Sequence, residues 1–299
     1  GPLASDVTLD AGSGPYYVTG ELTVPAGTTL TIEPGTTIYF AQGTLLTVRG
    51  RLLAEGTPHR RIRLTRRPGS SDTWQGLAFD GATDNRLTYA DMEHSSSGGE
   101  SISLSSSTIL IGNVAWSGTD ETILSILGSS VVVRNCVFPG ARSPAVSGRY
   151  LLASDPYMLF ENNVFGVCSG HKQNVLNFSM SGSATVPRFV SNTFLGGGDD
   201  GLDLDGTNAY VEGNVFMNFH RSFSSEEGES YAITAGSDAG HSSNHVIVRN
   251  LFVNCDNAVL VKDRSWAALA NNTIVNCAEA GVNFDEPLDA RVNPGLGGY

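Results

Sequence analysis

"RFVSNTFLGGGDDGLDLDGTNAYVEGNVF", residues 188–216, contains the same phrase twice. "RFVSNTF" and "AYVEGNVF" are short alternating runs, and their last residues, Phe194 and Phe216, stand 22 residues apart. The phrase recurs in "MLFENNVF" (ending at Phe165), "VIVRNLF" (Phe252) and "ALANNTI" (Ile274). Asn163, Asn192, Asn214, Asn250 and Asn272 each precede the apolar end by two positions, at intervals of 29, 22, 36 and 22 residues. "VVVRNCVF", ending at Phe138, fits the same frame with Cys136 in the asparagine slot.

Self-similarity with variable insertions marks a solenoid. The units are short, alternating and rich in Val, Phe and Thr, so they read as strands, and no ten-residue stretch carries a helical stripe. A coil of about 22 residues built from short strands and bends predicts an all-β fold, a single-stranded right-handed parallel β-helix. Its coils would stack about 4.8 Å apart, with the hand set by the chirality of parallel crossovers. Stacked at a bend, the asparagines would hydrogen-bond along their column and take the left-handed backbone. Cys168, Cys255 and Cys277 each follow an anchor by three residues and so stack as well. For Cys255 and Cys277 two readings stay open, a disulfide between neighbouring coils or a column of buried thiols.

"LTVPAGTTLTIEPGTTIYFAQGTLLTVRGRLLAEG", residues 22–56, reads as the first coils of the same solenoid, and Ser-rich text over 91–130 blurs the period without breaking it. The expected organisation is one domain over residues 6–285. Residues 1–5 read as an expression-tag scar, and 286–299 as a linker-like tail beyond which the native chain continues. The net charge of −12 and pI near 4.8 argue against sequence-independent nucleic-acid binding. No apolar run is long enough to span a bilayer. The four cysteines follow no zinc spacing and are too few to staple the chain.

Four aspartates fall within seven residues in "DDGLDLD". Alternation points Leu202 and Leu204 inward and Asp203 and Asp205 outward, with Asp199 and Asp200 in the turn before them. Asp199, Asp200, Asp203 and the Gly201 carbonyl are then candidate Ca²⁺ ligands, because clustered hard oxygens on a partly flexible turn suit that ion. The previous coil offers an amide oxygen from Asn174 or Asn177. The alternative is a solvated Asp-Gly turn. Only two lysines occur, Lys172 and Lys262. In "NAVLVKDRSW" Val259 and Val261 face inward, so Lys262 faces out about two coils beyond the aspartates, with Arg264 on the same face.

D-D-G-x-D on such a β-helix resembles the calcium site of polysaccharide lyase family 9, the pectate-lyase-like enzymes. The resemblance covers about residues 158–285. It implies Ca²⁺ on Asp199, Asp200, Asp203 and the Gly201 carbonyl, β-elimination on a uronic-acid polymer with Lys262 as base, and Arg264 holding a substrate carboxylate. Asn177 stands where that family has an acid. A long insertion, "HRSFSSEEGESYAITAGSDAGHSSNH", separates the aspartates from the lysine. "GDD", His241 in "AGHSS" and "LVKD" echo the order in galacturonase-type glycoside hydrolases, but the aspartate those enzymes carry one coil earlier is absent. The repeats are also similar to non-catalytic β-helix modules of large secreted bacterial proteins with CotH-like kinase or lamin-tail domains, where a solenoid binds glycans or acts as a spacer. The expected partner is an acidic polysaccharide, the expected state a secreted monomer, part of a larger multidomain chain. "HRRIRLTRR" (59–67) reads as a basic patch, either a solvated edge of the solenoid or a surface that grips an acidic polysaccharide or a partner domain, and Glu226, Glu227 and Glu229 read as a wet loop.

Overall fold

In the computed structural model, residues 1–95, 98–149, 157–179, 185–221, 230–284 and 297–298 are described. All regular structure among them is β: three parallel sheets that make a β-solenoid of about eleven turns, and one two-stranded antiparallel hairpin. The residues gather into two compact units, Gly1–Pro139 and Gly140–Tyr299.

In the first unit, strands such as Thr29–Ile32, Thr37–Phe40 and Leu45–Val48 alternate half-buried and buried positions, as period-two patterning requires. Ile38, Leu64 and Met92 share one inward column of the second sheet. The Ser-rich text has a structural use: Ser107 Oγ accepts from the Ala82 N–H, and Ser129 Oγ accepts from the Ser107 N–H, both at 3.0 Å. Gly1 and Leu3, expected to be scar, pair with Thr23. Outward arginines are laddered with acids of neighbouring rungs, including Arg49–Asp80 at 3.0 Å, Arg61–Asp91 at 2.7 Å and Arg63–Glu93 at 2.8 Å. Exposed pairs of this kind add little stability each.

In the second unit the asparagine column forms as expected. From Asn192 on, each Oδ1 accepts from both the backbone N–H and the Nδ2 of the asparagine one rung earlier, for example Asn192 to Asn214 at 2.8 and 2.9 Å and Asn214 to Asn250 at 2.9 and 3.0 Å. The Nδ2 groups of Asn192, Asn214, Asn250 and Asn272 each also reach a backbone carbonyl, such as Phe189 O from Asn214 at 2.8 Å. The backbone expectation needs correcting. The left-handed residue is not the ladder asparagine but the one before it: Asn162, Ser191, Gly213, Arg249 and Asn271 have φ between 54° and 65°. The turn is made one position early so that the amide can point inward. A second ladder that the repeat did not reveal runs on the surface, Asn276 to Asn254 to Asn218, at 3.1 and 2.9 Å. Inside, Phe165, Phe194, Phe216 and Phe252 stack with ring centroids 4.5–5.2 Å apart, a spacing at which offset aromatic pairs attract.

Cys136, Cys168 and Cys255 are buried free thiols and Cys277 is half-buried and free. Burial pushes the Cys136 and Cys255 thiols up to about 12 and about 11, so they are inert at neutral pH. The stretch expected to be an insertion contains a regular rung, Tyr231–Ala235, every residue of it buried, followed by a small hairpin of Ser237–Asp238 and His241–Ser242. Residues 222–229, with Glu226, Glu227 and Glu229, and most of the tail lie outside the described residues.

Candidate functional site

The third sheet of the second unit places the acidic stretch. Leu176, Leu202, Ile233 and Val259 are in register and fully buried, so their neighbours Asn177, Asp203 and Thr234 face outward on successive rungs. Asp199 and Asp200 lie in the bend just before Leu202–Asp203, as the alternation required.

The outward groups are joined by hydrogen bonds. Asn174 Nδ2 and Asn177 Nδ2 donate to Asp203 Oδ2 at 2.7 and 3.0 Å. The Asp205 N–H donates to Asp203 Oδ1 at 3.3 Å. Thr234 Oγ1 donates to Asp200 Oδ2 at 2.7 Å, and the Tyr231 N–H to Asp200 Oδ1 at 3.3 Å. Asn174 also accepts from the Asp200 backbone N–H at 3.2 Å, so one amide ties the Asp203 carboxyl to the bend that carries Asp200. Sequence reasoning named Asn174 and Asn177 as alternatives; both are engaged. It missed Thr234, which sits in a run of plain apolar strand text.

These carboxylates are costly to ionise. Burial holds the Asp200 carboxyl well above the usual range, and the charges of Asp199 and Asp203 add to this against the Thr234 hydrogen bond and Lys262. Burial and the Asp205 charge raise Asp203 to about 6, opposed by the Asp205 N–H and Lys262. Asp199 and Asp205 are raised for the same first reason, with Lys262 opposing in each case. Burial and like charge both disfavour a carboxylate, and here they act together.

Lys262 is the shared counter-charge. Its Nζ lies 3.1 Å from Asp205 Oδ2. The two stand two rungs apart, with Gly236 on the rung between: Gly236 O accepts from the Gly206 N–H, and Ala235 O from the Lys262 N–H. A Cβ on Gly236 would lie 2.3 Å from Asp205 Oδ1 and 2.5 Å from Lys262 Cε, so the missing side chain makes the pair possible. Burial pulls the Lys262 ammonium down, but Asp205 beside it, with Asp200 and Asp263, more than offsets this, and its pKa sits above the usual lysine value. We expect Gly236→Ala to part the two side chains and lower the Lys262 pKa. Titrating the lysine by NMR in both proteins checks this, and an unchanged titration would mean that the pair does not set it.

Strand alternation does not carry Arg264 onto the face of Lys262. The strand ends at Val261, and Asp263 and Arg264 both turn left-handed, with φ of 55° and 61°, so the alternation that would have aligned them is broken. Arg264 is exposed, and its N–H donates to Gly297 O at 3.2 Å. His241 is exposed on the hairpin.

The calcium expectation meets an arrangement that does not fit it as it stands. Among the described residues no group of three or more His, Cys, Asp or Glu side chains gathers to hold a metal. The Gly201 carbonyl accepts the Leu176 N–H at 3.0 Å, as part of the sheet. Asp203 Oδ2 is taken by two amides and Asp200 by Thr234 and Tyr231. The donors are the hard oxygens Ca²⁺ takes, but they are turned toward one another's partners. No step below passes through a metal.

No protein-family model matches this sequence, nor does any curated protein sequence. Solved structures do match. The catalytic domain of a GH87 α-1,3-glucanase, in complex with nigerose, aligns with a TM-score of 0.51 at 11% identity over 93% of this chain and 61% of its own. An alginate lyase from Paenibacillus sp. str. FPU-7 aligns with a TM-score of 0.49 at 16% identity, over 84% of this chain and 93% of its own. A surface adhesin of Streptococcus pneumoniae aligns at 0.40 and 11%, over 95% and 88%. The likeness fixes the fold alone. This chain spans about three-fifths of the glucanase domain. The resemblances to polysaccharide lyase family 9 and to CotH-linked modules gain no support from these matches.

Proposed function

We propose that the outward face around Asp200 and Asp203 is the active site of a polysaccharide-cleaving enzyme, and that carboxylates move the protons. The observation that carries this is the pair itself: two acids three residues apart, both raised by burial but held differently, Asp200 by Thr234 and the Tyr231 N–H and Asp203 by the Asn174 and Asn177 amides. Carboxyl groups whose surroundings push their pKa values apart are suited to divide acid and base work. Asp200, whose carboxyl is held by burial well above the usual range, gives its proton to the leaving glycosidic oxygen. Asp203, ionised above about pH 6 and oriented by two amides, takes a proton from the water that attacks the anomeric carbon. The glycosidic C–O bond breaks and a C–O bond to water forms, leaving saturated products. The glucanase above is an instance of this fold at work on a polysaccharide. The substrate class proposed is a polysaccharide with an uncharged unit at this face, because the four carboxylates here outnumber the two lysines, Lys172 and Lys262, whose charges act on them.

A second reading keeps Lys262 as the base of a calcium-dependent lyase acting on a uronic-acid polymer. Its support is that Lys262 lies on this same face, beside Asp205. It requires a neutral amine, and Asp205 holds the proton on, so such an enzyme would work only in alkaline medium.

One experiment separates the readings. Neutral and acidic polysaccharides are incubated with the wild type and with Asp203→Asn and Lys262→Ala, with Ca²⁺ or with chelator, and scored for new reducing ends and for ultraviolet absorbance. Saturated ends that vanish with Asp203→Asn, regardless of chelator, support hydrolysis. Absorbing, Ca²⁺-dependent products lost with Lys262→Ala support the lyase. Binding with no cleavage of any polymer would leave a glycan-binding module. Calorimetric Ca²⁺ titration of the chelator-treated protein tests the metal separately, with Asp203→Asn as control.

A further inference from the structure

The first unit has a cleft that the proposed catalysis does not use. On the outward face of its second sheet, Tyr17, Tyr39 and Thr65 occupy successive rungs. The two tyrosine rings lie 5.3 Å apart, and Tyr17 is 53% exposed. Next to them a cleft of about 460 Å³ is walled by Tyr39, Arg63, Thr65, Arg66, Arg67 and Glu93, with the loop 68–71 and His94 at its rim. That volume is within the range of small-ligand sites.

Its charges do not cancel. Arg63 donates from Nε and Nη2 to Glu93 Oε2 at 3.1 and 2.8 Å, which neutralises both. Arg67 is laid over the Tyr17 ring, 5.6 Å from its centroid, a cation–π contact that orients the guanidinium without consuming its donors. Among the described residues neither Arg66 nor Arg67 is in a salt bridge. Two arginines outside the ion-pair ladder thus line a cleft with an aromatic wall, on a chain of net charge −12. "HRRIRLTRR" is therefore not a uniform basic edge: Arg61 and Arg63 serve the ion-pair ladder, and of the remaining Arg60, Arg66 and Arg67 the last two line the cleft.

We propose that this cleft binds an acidic sugar unit of a glycan chain. The carboxylate or sulfate is held by Arg66 and Arg67, whose planar forks match such groups, and the apolar side of the sugar ring lies against Tyr39. The site belongs to the first unit alone and does not rest on the catalytic reading: a chain that cut nothing would still bind here.

The test is calorimetry with three hexasaccharides, a uronate, a sulfated sugar and a neutral glucan, plus a single-stranded DNA of similar charge. All are titrated into the full chain carrying Asp203→Asn, so that no turnover intervenes. At least one acidic hexamer is expected to bind, more weakly as salt rises, and which one names the acidic group. Adding Arg66→Glu and Arg67→Glu is expected to weaken it roughly 10–100-fold, with circular dichroism unchanged. Tyr17→Ala, which releases Arg67, is expected to weaken it less. No binding of either acidic hexamer, equal affinity for the neutral one, or affinity unmoved by the arginine changes would overturn the proposal. DNA binding as tight as the sugar would also overturn it, by making the patch a general polyanion surface.

Discussion

Asp203→Asn is expected to lower kcat/KM on the cleaved polysaccharide by about 10²- to 10⁴-fold, the range that one general acid–base group contributes, and at the same time to stabilise the fold. The second effect follows from the sign of the pKa shift. Asp203 is raised from 3.8 to about 6, so between these values the native state holds a proton that the unfolded chain has released. Stability from this group is then full below about pH 4 and falls as pH rises through about 6, by about 2–3 kcal/mol. Asparagine cannot ionise, so it removes that loss and still offers an oxygen to the Asn174 and Asn177 amides. Thermal unfolding at pH 4.5 and 7.5 reads the change: the variant should melt higher than wild type at 7.5 and near it at 4.5. In the wild type, activity should rise through about pH 6 as Asp203 ionises and fall when Asp200 loses its proton. A variant as active as wild type sinks the assignment of Asp203. A profile that climbs only in alkaline medium returns the base to Lys262.

Asn214→Ala is the stability change with the largest expected cost. Asn214 is fully buried. Its side chain accepts from the Asn192 N–H and Nδ2, and donates to Phe189 O and to Asn250. Removing it strands the Asn192 N–H and one Asn192 Nδ2 hydrogen where water cannot reach, at about 1–3 kcal/mol for each group, so a loss of about 2–5 kcal/mol is expected by urea unfolding. Asn272 makes the equivalent bonds at the last rung but is half-exposed, and water can replace what its truncation removes. Asn272→Ala should therefore cost about 1 kcal/mol or less. Equal losses at the two positions would show that burial is not what makes the ladder matter.

Comparing these positions shows what was legible. The five asparagines, their anchors and the inward Leu202 and Leu204 could be read directly, because a solenoid repeats one local environment and each rung repeats its residue types. The left-handed residue one position ahead of each asparagine could not, since Asn, Ser, Gly and Arg all occupy it and the column has no residue signature. The Gly201 carbonyl looked available because sequence does not say which ladder bond it makes. Arg264 looked aligned with Lys262 because alternation was carried past the end of its strand.

The sequence by itself determined a parallel β-helix, its inward and outward faces, and the gathering of acids on an outward rung. These follow from the period of the chain and the two-residue alternation of a strand, both local properties. Only the tertiary structure decided which partners those acids take. Asn174, Thr234 and Lys262 reach them from other coils, Gly236 makes room for the Asp205–Lys262 pair, and burial then raises the cost of ionising each carboxyl. Stacking brings together residues 26 to 57 positions apart, and their charges interact through a poorly screened interior whose effect depends on distance and burial, not on order along the chain.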